Sequence, residues 1–123
     1  MDQTDGFTLS GVNTMLAVLL SSTVYGRIIK SAPPGGTRVP SSFGTREAIT
    51  YGAPDSNGVY DITTPVQFGP FTQIESDWGI ELWTTASAGS CFFVRAFAQA
   101  KNMYISDTGL LASLPITIAN IGS

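Results

Sequence analysis

Glu75, Asp77 and Glu81 lie close together in the chain, and a pair of carboxyl groups is the working unit of most glycosidases. Neighbouring carboxylates are common by chance, however, and these flank an expected turn. Glu75 and Asp77 are therefore read as solvated turn residues, with Asp77 accepting backbone amide bonds near Trp78-Gly79. The chain has no histidine, which removes the Ser-His-Asp and Cys-His machineries. It carries no HExxH, no CxxC and no acidic calcium loop, and Gly35-Gly36 is not followed by the Lys-Ser/Thr of a phosphate loop. Cys91 is the single cysteine, so no intrachain disulfide can form. Its apolar surroundings point to an inert thiol, with Arg95 too far along the strand to activate it. Trp78, Trp83, Tyr51 and Tyr60 are the residues for a sugar-stacking platform, although aromatic side chains of small β-domains are more often core. No catalytic, cofactor-binding or metal-ligating residues are expected.

The bulk composition narrows the classes further. Only 12% of residues are charged and 43% are hydrophobic, against roughly a quarter charged in average globular chains. A chain so uncharged either uses Ser and Thr as its polar surface or buries much of its surface against partners. The net charge is −3, and the six basic residues are scattered without a run. Nucleic-acid binding needs clustered Lys and Arg facing phosphates, so it is not expected. "MDQTDGFTLS" is acidic where a secretory signal is basic, and "MLAVLL" is too short to span a bilayer. The expectation is a protein made on the cytoplasmic side, with no membrane partner.

The elements that must position these residues read as one domain, 10–123, behind an N-terminal arm, 1–9. Apolar residues at Val12, Met15, Leu16, Leu19 and Leu20 predict a short helix from Gly11 to about Ser21, capped by Ser10. A strand is expected from Thr23 to Ile29. Ser31–Thr45, with Pro33-Pro34-Gly35-Gly36, reads as a long surface loop, with Val39 and Phe43 as apolar anchors. Short strands follow at Arg46–Gly52, Asp55–Tyr60 with an Asn57-Gly58 turn, and Val66–Phe71. Trp78–Thr85, Ser90–Ala98, Asn102–Ile105 and Leu114–Asn120 complete the set. Many short strands with little helix predict a mainly β fold, an antiparallel, jelly-roll-like β-sandwich with one short N-terminal helix.

The strand "CFFVRAFA" is apolar on both faces, so it is expected to be central or to meet another layer. Phe92, Val94, Ala96 and Ala98 are assigned to the core, opposite Ile80 and Leu82. Phe93, Phe97 and Trp83 are left needing a cover, supplied by the N-terminal helix or by a neighbouring subunit. Arg95 is expected to pair with Glu81, or failing that Asp77, unless it forms an ordinary surface cross-strand pair. The candidate interface residues are Phe7, Val39, Phe43, Trp83, Phe93 and Phe97.

From Arg46 onward the order of features resembles a family of small tailed-bacteriophage virion proteins. Its members are often labelled tail-fibre proteins, and some resemble capsid decoration, or cement, proteins. The matching positions are "REAITYGAP" (Arg46–Pro54), Asn57-Gly58, Val66–Phe71, Asp77-Trp78-Gly79, the small-residue turn Ala86–Ser90, and Ser106-Asp107-Thr108 before Leu114–Ala119. Thr23-Val24-Tyr25 and the Pro-Gly loop also match, but Gly26-Arg27 departs from the family pattern in mid-strand. The resemblance implies a non-enzymatic virion component with a β-sandwich fold, and the expectation built on it is a protein of the outer capsid surface that binds the major capsid protein; the strand apolar on both faces and the low charge content predict self-association besides, with a trimer slightly favoured over a dimer. The alternative it implies is a tail or tail-fibre-associated module that binds host glycan.

Overall fold

The computed structural model describes residues 9–30 and 38–117. The expected arm, with Phe7, and the Pro-Gly segment of the loop lie outside these residues, except that Leu9 opens the helix. The fold is mainly β, with antiparallel sheets and one short helix. The helix α1 spans Leu9–Ser21, so Ser10 lies inside it and does not cap it. Leu20 is buried and Leu16 packs against the core, but Met15 and Val18 face solvent. The buried stripe of α1 is thus narrower than its sequence suggests.

The main sheet is built on β1 (Val24–Lys30), which pairs with the short β2 (Val39–Pro40) and β3 (Glu47–Ile49) along one edge. Its other edge pairs with β5 (Glu75–Trp83), which in turn pairs with β6 (Cys91–Met103). A separate two-stranded ribbon joins β4 (Val66–Phe68) to β7 (Gly109–Leu111). Bridges from Tyr51 to Ile62 and from Tyr60 to Ile116 tie in the intervening loops. Val24, Ile28, Ile80 and Leu82 from the main sheet meet Phe68, Leu114 and Ile116 from the opposite side in one core. The layer facing the main sheet is therefore a ribbon with bridged loops.

Several expectations change in position. Val39-Pro40 is a paired strand at the end of the long loop, because its backbone bonds satisfy the edge of β1 at Ile29 and Lys30. The strand expected at Asn102–Ile105 is the end of β6, with Tyr104 and Ile105 beyond it. Gly109–Leu111 is a strand where none was expected. Of the expected Leu114–Asn120 strand, the described part contributes only the bridge at Ile116, and 118–120 lie outside the described residues. Strand β5 begins at Glu75, which places Glu75 and Asp77 in a paired strand and not in a turn. In mid-β1, Gly26 faces the core where Ile49, Ile80 and Phe68 converge. A Cβ there would stand 2.7 Å from Ile49 Cδ1, so any larger residue at this point has to displace that methyl group.

Cross-strand neighbours in an antiparallel pair share a face. Leu82 opposes Phe93 and Ile80 opposes Arg95, whereas Glu81 opposes Val94 and Gly79 opposes Ala96. From Phe93 to Ala98 the two faces of β6 are therefore the reverse of those expected, while Phe92 keeps its expected place. Phe93 and Phe97 pack against the core, and Val94, Ala96 and Ala98 are exposed. Phe92 also reaches the core, since the register shifts between Leu82 and Trp83 and leaves it without an opposite number. Nor is β6 central: no strand among the described residues pairs with its outer side.

Candidate interaction surface and buried carboxyl groups

The second face of the main sheet is organised around Glu81. Glu81 is 1% exposed, and its carboxylate is met by three donors. Arg27, directly opposite on β1, approaches Oε1 at 2.8 Å. Arg38 Nε donates to Oε2, and the Trp83 indole N–H donates to Oε1 at 3.1 Å. Burial alone pushes the Glu81 carboxyl up, but the hydrogen bonds from Arg38, Trp83 and Arg27 outweigh it and hold the group below the usual carboxylate range. The Arg46 guanidinium lies 3.6 Å from the centre of the Trp83 ring and Arg27 lies 5.1 Å from it. Arg46 also donates to the carbonyls of Thr85 and Ala88, which fastens the small-residue turn between β5 and β6. Three of the chain's scattered arginines thus converge on one tryptophan and one glutamate.

This arrangement revises the expected pairing of Arg95. Glu81 is on the opposite face from Arg95, which instead donates to the Pro115 carbonyl at 2.6 Å and lies over Phe93. Cys91 is half-buried, and its thiol lies 3.6 Å from Arg38 Nη2 and donates to the Phe93 carbonyl. The guanidinium beside it is Arg38, not Arg95.

The candidate interface residues do not form one patch. Phe43 packs edge-on against Phe68 and Phe71, with ring centres 6.5 and 6.0 Å away. It anchors the loop to the chain's own core. Val39 is half-buried in β2. Phe93 and Phe97 belong with the core, Trp83 sits under arginines on the other face, and Phe7 lies outside the described residues. The sugar-stacking set is likewise dispersed: Tyr51 is buried with its hydroxyl donating to the Leu114 carbonyl, and Tyr60 packs against the same core.

Asp77 is the second buried carboxyl group. It is 1% exposed, and no donor among the described residues reaches either oxygen. Burial, reinforced by the adjacent Glu75, pushes it up to about 8. Two neighbouring carboxyls do not both ionise readily, and Asp77 is the one that keeps its proton. Glu75 is itself pushed up by burial, but the Asp77 proton, the Ser42 hydroxyl and the Ser42 backbone N–H hold it low. The Ser42 N–H reaches Oε1 at 2.9 Å and Oε2 at 3.2 Å. Sequence reasoning missed both carboxyl sites, because their partners come from distant segments and no local spacing announces them. Among the described residues no cluster of three or more metal-ligating side chains occurs, and no helix is long and apolar enough to cross a membrane. No family model, curated protein or solved structure matches the chain.

Proposed function

We propose that this chain is a non-enzymatic structural protein of a tailed-bacteriophage virion, which decorates the outer surface of the capsid and stabilises the shell. The observation that carries the docking role is the outer edge of β6, which no strand among the described residues pairs with, next to the exposed apolar Val94 and Ala96 on the Glu81 face of the same strand. An open edge offers backbone N–H and C=O groups to a strand of another chain. The low charge content fits flush contact with partners, and the resemblance from Arg46 onward supports the virion class. The partners are the major capsid protein and further copies of the chain. A threefold ring fits the local threefold points of a shell, and β6-to-β6 pairing gives a twofold dimer instead. Many weak contacts then act together through avidity.

Gold labelling of a tagged copy in purified virions tests the reading. Label on the head supports it. Label on the tail, or none on the particle, overturns it.

A further inference from the structure

Strand β6 does not follow β5 evenly. Ala96 opposes Gly79 and Lys101 opposes Asp77, so the four residues Phe97–Ala100 stand against Trp78 alone. A strand with that many extra residues must arch away from its neighbour. Under the arch, between β6, β4 and β7, lies a groove of about 640 Å³. Its walls include Ile28, Phe68, Phe71, Phe97, Met103 and Leu111, and Asp77 lines it.

We propose that this groove binds an alkylammonium group, a run of methylenes ending in one cationic nitrogen that is received by Asp77. The walls suit the methylenes, and burying them is favourable at about 0.8 kcal/mol per CH₂. The carboxyl lacks a hydrogen-bond donor among the described residues, and an ammonium brings three. The charged groups facing Asp77 are Glu75 on its own strand, Lys30 opposite it on β1 and Lys101 opposite it on β6. Neither lysine forms an ion pair with it among the described residues, where both ion pairs belong to Glu81. Glu75 is engaged by Ser42 and adds negative charge, which repels an anionic head group. A neutral head group gains no charge-assisted bond. Binding converts the protonated Asp77 to its carboxylate and releases that proton to solvent.

The test is a methyl NMR titration of Met103 and Leu111 with hexylammonium, hexanol and hexanoate. Saturable shifts are expected with hexylammonium, with affinity about tenfold or more above that for hexanol, and no shifts with hexanoate. Asp77→Asn should lose that advantage while leaving hexanol unchanged. In the wild type the hexylammonium affinity should rise by about tenfold per pH unit between about pH 6 and pH 7.5, a readout that needs no variant. Lys101→Ala should keep the affinity, which excludes a lysine of the groove wall as the natural occupant. Binding of Nα-acetyl-lysine amide as well as hexylammonium assigns the site to a lysine side chain of a partner, and hexylammonium alone assigns it to a free amine. Either result supports the site. Equal affinity for all three probes, absence of shifts, or a pH-independent affinity in the wild type overturns it.

Discussion

Glu81 and Asp77 are both buried on β5, and the difference between them is the presence of donors. Glu81 accepts from Arg27, Arg38 and Trp83, so its ionised form is favoured. Glu81→Gln removes the negative charge and leaves Arg27, itself mostly buried, without its partner. The expected loss is about 3 kcal/mol in urea denaturation at neutral pH. A loss within experimental error would show that solvent already screens the pair. The two carboxyls also oppose each other in their pH dependence. Glu81 has a folded pKa below its unfolded value, so its stabilisation is present above the unfolded value and lost as pH falls through the folded one. Asp77 is raised to about 8, so its proton-linked stabilisation is full below about pH 4 and lost as pH rises to about 8. The slope from Asp77 is at most about 1.4 kcal/mol per pH unit. Asp77→Asn should flatten the stability profile between about pH 5 and pH 8. An unchanged slope in that variant would place the titration on another group.

At the scale of elements, β1 and β6 carry the two features that packing decides most sharply. Gly26→Ala puts a methyl into space held by Ile49, Ile80 and Phe68. Overpacking of this kind costs about 1–3 kcal/mol, and the melting temperature should fall accordingly. In β6, Phe93 packs with Leu82 in the core while remaining partly exposed. Phe93→Ala should therefore lower the stability of the isolated chain, by about 2 kcal/mol against 3–5 for a fully buried ring, and with it the melting temperature, and should not act mainly through assembly. Ala96→Lys makes the reverse test. A lysine on an open edge blocks strand addition, while a surface change typically moves stability by less than about 0.5 kcal/mol. Unimpaired association in Ala96→Lys, read by sedimentation, would remove β6 as the docking edge.

For the whole molecule, the core is shared between the main sheet and the facing ribbon, and three of the four arginines gather on the other side of the sheet around Glu81 and Trp83. Among the described residues β6 is the long open boundary of the sheet, and the short β2 and β3 form the other. Sedimentation at micromolar concentration should show a closed oligomer, a trimer or a β6-paired dimer, if self-association precedes docking on the shell. A chain that stays monomeric both free and on particles would overturn the proposed self-association.

The sequence by itself determined the class: a mainly β chain with one short helix, and strong strands around Trp78–Trp83 and Cys91–Ala98, because alternation and turn residues are local signals. It also marked Asn57-Gly58, where Gly58 takes a positive φ and its N–H bonds the Asp55 carbonyl. Which face of β6 turns inward was decided only by register: one shift at Leu82/Trp83 and the pairing of Ile80 with Arg95 send Phe93 to the core and Val94 to solvent. With both faces apolar, no periodicity could choose between them. The tertiary structure likewise decided the fate of the carboxyls. Arg27 and Arg38 lie 54 and 43 residues from Glu81 in sequence, and Asp77 is buried only because β6 arches over it and the β4–β7 ribbon closes against the sheet. Electrostatic character depends on distance in space and on access of water, and neither is written in local spacing.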